Sequence, residues 1–304
     1  MDHLIIDGYG LAYRSHFAFT TLQTSTGLFS GSIYGFLVSM RSVKGRFQHC
    51  HVTIAWDNEA VRRKALFAGY KADRTKFGIG EQIKDLKGLY QYANVSQTEY
   101  PGEEADDVIA TLTKMYKEEG QVIIYSADKD MLQLVEDGKV VMIRPKSGTR
   151  AERVFDEEAV KAEYGVAPRD LHAFFCFRGD SIDSIPGVPR LKSSRIAQLV
   201  NKYKNNTEIY AHLDEEKLTN FERVSLSLFE PQVQINQELV RLRDDLELIM
   251  MHGTPDAEAM QPYLDKYEIR SINPHTYLSA FKDTSASFST RKAPALVEYS
   301  LFDE

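Results

Sequence analysis

The 304-residue chain lacks several features that would assign it to a common class of protein. Its only cysteines, Cys50 and Cys176, are far apart and form no CxxC pair. Neither a disulfide framework nor a zinc site is therefore expected, and a reducing cytoplasm is the default compartment. The N-terminus has no basic region followed by a long apolar run, and no segment approaches the roughly 20 apolar residues that span a bilayer. We expect neither a signal peptide nor a membrane partner.

The chain also lacks an excess of positive charge, since its formal net charge is −7 at pH 7. Taken alone, this balance argues against a nucleic-acid partner, but the distribution of charge along the chain matters more than the sum. We find no internal repeat. The length suggests one large domain or two closely packed ones.

Four short apolar runs lie at 3–7, 51–57, 121–130 and 139–145, and the first three end in acids. Helical patterns separate them, and this alternation predicts an α/β fold with a mostly parallel central sheet and flanking helices. From about residue 156 the pattern becomes helical. The expected division is an α/β core at 1–155, a helical subdomain at 156–283, and a flexible tail at 284–304.

The stretch "PGEEADDVIATLTK" (101–114) places four carboxylates at the predicted start of a helix: Glu103, Glu104, Asp106 and Asp107. Acids at a helix N-terminus interact favourably with the helix dipole, each by about 0.3–1 kcal/mol. That effect accounts for one or two of them, whereas four repel one another. This stretch alone is equally compatible with helix electrostatics and with a metal site.

Further acids stand where the predicted strands end. Asp7, Asp57 and the pair Asp128 and Asp130 all follow apolar runs. A single aspartate at a strand end is usually a turn or cap residue, but ligands of open parallel sheets bind beyond the carboxyl ends of the strands. Several unpaired carboxylates on one edge would be strongly destabilising without cations. All-oxygen ligation with no nearby His or Cys favours Mg²⁺ or Mn²⁺ over zinc.

A second acidic pair, Asp180 and Asp183, lies in "FRGDSIDSIPGVP" (177–189), where "GDS" is also a common turn and helix cap. Residues 186–204 follow with five basic side chains and no acid, and they resemble a helix–hairpin–helix element, which grips a duplex backbone without reading sequence. Residues 61–76 carry six basic residues and one acid. A solvated helix face is the usual reason for such runs. Because the two basic segments flank an acidic centre, they favour nucleic acid as the partner.

Six motifs, in this order and spacing, resemble the 5′→3′ exonuclease and flap endonuclease family: "LIIDGYGLAYRS", "GLFSGSIYGF", "FAGYKADR", "GEEADDVIATL", "YSADKDMLQLV" and "FRGDSIDSIPGVP". The chain looks most like the 5′-nuclease domain of bacterial DNA polymerase I and free-standing phage 5′ nucleases, over about residues 3–250. The resemblance implies a monomeric nuclease of primer removal or repair, in the cytoplasm of a bacterium or a phage-infected cell. Its substrate would be branched or 5′-ended duplex DNA.

The resemblance also implies site residues. A first metal cluster would comprise Asp7, Asp57, Glu104, Asp106 and Asp107, and a second Asp128, Asp130, Asp180 and Asp183, together holding two Mg²⁺ that Mn²⁺ could replace. Lys71, Arg74, Asp7 and Asp57 would be catalytic. DNA contacts would come from Arg63, Tyr70, Lys71, Arg74, Gly187, Arg190, Lys192 and Arg195. Tyr70, Lys71 and Arg74 match the base of the family's helical arch, which would occupy about 70–95.

Two features stand apart from this match. The family's glycine-rich hairpin often binds potassium, but Arg190, Leu191 and Lys192 stand where its later glycines would be, so potassium is not expected. The segment "EYSLF", comprising Glu298, Tyr299, Ser300, Leu301 and Phe302, resembles the peptides with which replication proteins bind sliding clamps. Such short matches are common, and "SLSLF" at 225–229 fits equally well.

Three other classes of protein fit the sequence less well. A HAD-type phosphatase needs a DxD start, which "IIDGYG" lacks. A PIN-type RNA endonuclease shares the acidic sheet edge but is usually shorter and would not include "GDSIDSIPGVP". A non-catalytic branched-DNA-binding module would be expected to lose some of the nine acids. The sequence leaves open the balance of exonuclease and flap cleavage, activity on RNA/DNA hybrids, and threading through the arch.

Overall fold

The computed structural model describes residues 1–72 and 78–282 of the chain. The predicted catalytic Arg74, the predicted tail and the clamp-like segment at 298–302 lie outside the described residues. No helix within the described ranges is both long and apolar enough to cross a lipid bilayer.

A seven-stranded sheet forms the centre of the fold, with the strand order β6-β5-β4-β1-β2-β3-β7. Its strands are β1 (His3–Asp7), β2 (His51–Ala55), β3 (Ser96–Thr98), β4 (Val122–Tyr125), β5 (Val140–Arg144), β6 (Arg153–Phe155) and β7 (Met251–His252). The five inner strands are parallel, whereas β6 and β7 pair antiparallel at the two edges. The predicted α/β fold with a mostly parallel sheet is therefore confirmed.

Helices cover both faces of this sheet. They are α1 (Gly8–Ala18), α2 (Gly31–Arg46), α3 (Val61–Leu66), α4 (Gly80–Leu89), α5 (Ala105–Tyr116), α6 (Glu157–Tyr164), α7 (Leu171–Arg178), α8 (Ser193–Tyr203), α9 (Asn206–Ala211), α10 (Asn220–Leu239), α11 (Ala257–Lys266) and α12 (Pro274–Ser279). Short 3-10 helices occupy Tyr90–Tyr92, Lys129–Leu134, Pro168–Asp170 and Leu213–Glu215.

Alternate strand residues enter two separate apolar layers, as the two-residue period of a strand requires. Leu4 and Ile6 of β1 point into a layer formed with α1, α2, α4, α11 and α12. Ile5 points to the opposite layer, formed with α5 to α10. Both faces of the sheet are therefore buried, which explains why its strands read as continuous apolar runs rather than as alternating patterns.

The segment predicted to complete the arch is largely part of the core. In α4 and the 3-10 helix that follows, Leu86, Leu89 and Tyr90 are fully buried, and the Tyr90 hydroxyl hydrogen bonds to that of Tyr277 at 2.5 Å. Apolar side chains of residues 80–92 thus pack in the layer that contains α11 and α12. The arch at about 70–95 stays a prediction.

The end of the described chain does not stay with the helical layer that precedes it. Residues 157–239 cover one face of the sheet, but β7 then pairs with β3, and α11 and α12 pack on the other face. The predicted subdomain at 156–283 thus contributes to both faces. A helical subdomain separate from the α/β core therefore stays a prediction only for the helices α6 to α10.

Candidate metal and nucleic-acid site

The acids that end β1 and β2 are held by hydrogen bonds at the carboxyl edge of the sheet. Asp7 caps α1, accepting from the Gly10 amide through Oδ1 (2.8 Å) and from Ser126 Oγ through Oδ2 (2.8 Å). Asp57 Oδ1 accepts from the Ala105 amide at 2.7 Å, which ties the end of β2 to the start of α5. Burial, reinforced by Asp7, raises the pKa of Asp57 to about 6. Burial also raises the pKa of Asp7, although the hydrogen bonds from the Gly10 amide and Ser126 oppose the shift.

Glu104 stands just before α5 and is surrounded by donors. It accepts from Lys71 Nζ at 2.5 Å, from the Tyr70 hydroxyl at 2.8 Å and from Arg63 Nη1 at 3.0 Å. Burial alone would raise the pKa of Glu104, but Lys71 and Arg63 outweigh it and lower the pKa. Asp106, by contrast, has a pKa well above its ordinary value, because it is buried close to Asp128 and Glu104.

Asp107 points away from these acids. Its carboxylate forms a two-pronged ion pair with Arg63, at 2.6 and 3.0 Å, and accepts from the Arg243 amide at 2.8 Å. The side chain is completely buried. Because its oxygens already face the positive charge of Arg63, this environment does not itself favour a cation at Asp107, and its role as a metal ligand stays a prediction.

Arg63 is equally occupied. Its five N–H groups donate to Glu104, to both oxygens of Asp107, and to the carbonyls of Leu239 and Arg241. With 3% of its side chain exposed, Arg63 is enclosed by these partners, and its DNA contact stays a prediction. The same holds for Tyr70, whose side chain is buried and whose hydroxyl donates to Glu104.

The second acidic cluster joins two segments about 50 residues apart. One carboxylate oxygen from each of Asp130, Asp180 and Asp183 lies within 4.8 Å of the others. Asp128 Oδ1 accepts from the Asp130 amide at 2.9 Å and so begins the 3-10 helix Lys129–Leu134. Lys129 hydrogen bonds to Asp180 and lies 3.6 Å from Asp130. Burial and the neighbouring Asp128 nevertheless raise the pKa of Asp130 to about 7.

Two side chains connect the clusters. Ser126 Oγ donates to Asp7 and accepts from the Asp128 amide at 3.0 Å. Lys71 Nζ, bound to Glu104 of the first cluster, lies 3.6 Å from Asp183 Oδ2 of the second. The Lys71 amide also donates to the Asp183 carbonyl at 3.0 Å. Ser126 thus links Asp7 to the segment of Asp128, and Lys71 links Glu104 to Asp183, so the two predicted clusters are joined at one edge of the sheet.

The basic residues of 186–204 divide into two groups. Arg195 and Lys202 form ion pairs with Glu216, and Lys204 pairs with Asp170. Arg190 and Lys192 are exposed, and neither forms an ion pair within the described part of the chain. Packing requires a glycine at position 187, because a Cβ there would lie 2.0 Å from the carbonyl oxygen of Arg178.

Sequence reasoning did not select Ser126 or Lys129, which lie among the predicted ligands. Both belong to the motif "YSADKD" directly after β4, so their position at the strand end was the available signal. Their roles depend on partners far away in the sequence, 119 residues for Ser126 and Asp7 and 51 residues for Lys129 and Asp180.

Comparisons with known proteins agree with this arrangement. Residues 2–165 match the family model described as "5′-3′ exonuclease, N-terminal resolvase-like domain". The chain is 30% identical over 277 residues to a 5′-3′ exonuclease of Aquifex aeolicus, covering 88% of this chain and 92% of that protein. It is also 30% identical over 276 residues to the thermostable DNA polymerase I of Thermus thermophilus, covering 88% of this chain but 32% of that much longer protein.

Solved structures share the fold at lower identity. A bacteriophage T5 flap endonuclease in complex with DNA and metal ions superposes with a TM-score of 0.66 at 19% identity, covering 92% of this chain and 99% of that chain. Human GEN1 bound to Holliday junction DNA gives 0.62 at 12% identity, covering 92% of this chain and 71% of that one. With more than half of its length matched by the family model and nearly all of the Aquifex relative covered, this chain belongs to the 5′-3′ exonuclease family.

Proposed function

We propose that the protein is a metal-dependent, structure-specific 5′ nuclease, a 5′→3′ exonuclease and flap endonuclease that hydrolyses phosphodiesters in DNA. The observation that carries the proposal is the linked acidic edge, in which Lys71 lies between Glu104 and Asp183. Its relatives among DNA polymerase I proteins favour a place in primer removal or repair.

The acidic edge suits hard divalent cations. Oxygens on opposite sides of a Mg²⁺ ion lie about 4.2 Å apart, because each bond measures about 2.1 Å. The oxygens of Asp130, Asp180 and Asp183, all within 4.8 Å of one another, can close around such an ion with small side-chain adjustments. The raised pKa values of Asp7, Asp57 and Asp106 have the same origin: these buried carboxylates lack enough nearby positive charge. We propose two Mg²⁺ ions, replaceable by Mn²⁺.

The residues divide the chemistry among them. Bound divalent cations would supply a nucleophilic water at neutral pH and neutralise charge on the phosphoryl oxygens. Asp7, Asp57, Glu104 and Asp106 would hold one cation, and Asp128, Asp130, Asp180 and Asp183 the other. The Lys71 ammonium would move from Glu104 to a non-bridging oxygen of the scissile phosphate, stabilising the charge that develops there. No side-chain nucleophile is needed.

The alternatives have less support. A PIN-like RNA endonuclease is not favoured by the comparisons, which give 5′ nuclease relatives over 88% of the chain. A non-catalytic module that binds branched DNA would not need several buried, mutually repelling carboxylates, each of which reduces stability unless a cation is bound.

The test uses a 5′-labelled flap duplex and a nicked duplex, incubated with and without Mg²⁺, with the products sized on a gel. We expect 5′-phosphorylated mononucleotides and short oligonucleotides with Mg²⁺, and no cleavage in EDTA. Asp128→Ala or Asp183→Ala should abolish cleavage while flap binding persists. Glu118→Gln serves as the matched control, since Glu118 is an exposed acid whose one ion pair among the described residues is with Lys139. Near-normal Mg²⁺-dependent turnover by either alanine variant would refute the assignment.

Three further proposals concern partners. We propose that the protein acts as a monomer, that duplex binding does not require potassium, and that residues 298–302 bind a sliding clamp. Equal duplex affinity in KCl and NaCl would support the proposal that duplex binding does not require potassium. Deletion of residues 296–304 should abolish clamp binding and leave cleavage of a free flap unchanged; clamp binding that survives the deletion would reject the third.

A further inference from the structure

Two exposed cations of residues 186–204, Arg190 and Lys192, form no ion pair within the described part of the chain, and Arg190 is held in an unusual way. Arg190 adopts a left-handed backbone conformation with φ = 57°, in the turn that precedes α8. Its guanidinium carbon lies 5.4 Å from the centre of the Phe221 ring. Lys192, two residues later, has no such aromatic neighbour within the part of the chain that the structure describes.

Phe221 sits on a firmly fixed part of the chain. It is the second residue of α10, whose start is fixed by reciprocal hydrogen bonds between Thr219 and Glu222. Arg223 fixes the same turn by donating to the carbonyls of Leu213 and Glu216. Burial of the ring in the core does not explain its position, because Phe221 is 47% exposed.

We propose that Phe221 is a positioning residue that holds the Arg190 guanidinium for contact with a duplex phosphate. The guanidinium carbon lies over the ring, and this cation–π contact keeps the charge intact. Within the described part of the chain no ion pair occupies the guanidinium, so its N–H groups can donate to two phosphate oxygens at once. Because an exposed arginine loses rotamer freedom when it binds, stacking in advance reduces that loss.

This inference rests on the proposed function, since it assumes that the helical layer binds duplex DNA. It also gives a function to the positive φ of Arg190. The strained backbone at this position carries the cation that Phe221 orients. The inference further distinguishes Arg190 from Lys192, which would contact phosphate only as a flexible point charge.

The test compares Phe221→Leu, Phe221→Trp and Val224→Ala by equilibrium binding to a flap duplex in Ca²⁺ at several salt concentrations, and by steady-state cleavage in Mg²⁺. Val224 is the matched control, since it is an exposed apolar residue one turn further along α10. Phe221→Leu should weaken binding about two- to fivefold and raise KM more than it lowers kcat, whereas Phe221→Trp retains affinity. Val224→Ala should match the unaltered protein.

A double-mutant cycle separates orientation from direct contact. Arg190→Ala should reduce the slope of log K against log[salt] by about 0.9, while Phe221→Leu leaves that slope unchanged. In the Arg190→Ala background, Phe221→Leu should have no further effect. An equal loss in both backgrounds, or no loss in either, would overturn the inference. Absence of duplex binding by the unaltered protein would instead reject the proposed function, and the inference with it.

Discussion

The two sides of the first turn of α5 differ in their electrostatics, although their acids are neighbours in the sequence. On one side, Asp107 and Glu103 face Arg62, Arg63 and Arg243 and form ion pairs. On the other, Asp106 faces the acids at the strand ends, and its pKa is raised by burial and by Asp128.

This difference separates two functions within one acidic run. Acids on the paired side join α3, α5 and residues 239–243 through ion pairs, although burial still raises the pKa of Asp107. Acids on the unpaired side destabilise the fold unless cations bind, so they suit a metal site. Arginine partners, rather than the helix dipole alone, thus account for Glu103 and Asp107, and the metal site stays a prediction for Asp106.

The largest expected effect comes from breaking the paired side. Arg63→Met should reduce the free energy of unfolding by about 3–5 kcal/mol, because it leaves Asp107 buried and unpaired. Urea denaturation measures the change. The double variant Arg63→Met/Asp107→Leu should recover much of the loss, since both charges are then removed. If Arg63→Met kept full stability and instead lowered the salt dependence of DNA binding, Arg63 would be a DNA contact after all.

On the unpaired side, Asp106→Asn should lower kcat about 10²–10³-fold, because one cation loses a ligand. In EDTA the same variant should unfold at a higher temperature than the unaltered protein, since one buried, repelled carboxylate is gone. Asp107→Asn is the matched comparison and should show the reverse pattern, with lower thermal stability and a smaller loss of turnover. Interchanged results would mean that the two sides are wrongly assigned.

The pH dependence of stability sharpens the same contrast. Asp57 has a folded-state pKa of about 6, above the ordinary value near 3.9 in the unfolded chain. Below about pH 4 both states are protonated, and stability then falls as the pH rises to about 6, by on the order of 2–3 kcal/mol for this group. Mg²⁺ should therefore raise the unfolding temperature more at pH 7.5 than at pH 5. Asp57→Asn should flatten the metal-free profile; an unchanged profile would contradict the shift.

The smallest effect is expected at the rim of the paired side. Arg62 Nε lies 3.2 Å from Glu103 Oε1, but the arginine side chain is partly exposed, so Arg62→Ala should cost less than about 1 kcal/mol. Urea denaturation in low and high salt would measure it beside Arg63→Met. A loss as large as that of Arg63→Met would show that burial does not set the difference between these two arginines.

The strand ends were predictable, whereas the direction of each acid was not. Asp7 and Asp57 could be placed because short apolar runs define the parallel strands and their carboxyl edge. Asp106 and Asp107 are adjacent, so a helix turns them about 100° apart, and only the distant partner Arg63 reveals which one faces the site. Such pairing over 44 residues leaves no local signal in a single sequence.

The predicted arch range also contains an apolar period that is typical of a packed helix. Ile79, Ile83, Leu86 and Tyr90 recur at intervals of three and four residues, which is typical of a helix with one buried face. Three of these side chains are fully or almost fully buried, and Ile83 packs partly against the same layer. The apolar period thus predicts that this stretch packs against the core.

The return of the chain from α10 to the outer strand β7 has a consequence for biosynthesis. The carbonyls that complete the Arg63 environment belong to residues 239 and 241, and the helices that cover Tyr90 follow residue 256. A nascent chain that ends just before residue 239 lacks both the carbonyls that bind Arg63 and the helices that cover Tyr90. Every acid of the acidic edge has already been translated at that point. The acidic edge is therefore complete only after the segments that follow residue 239 have been synthesised and have packed against it.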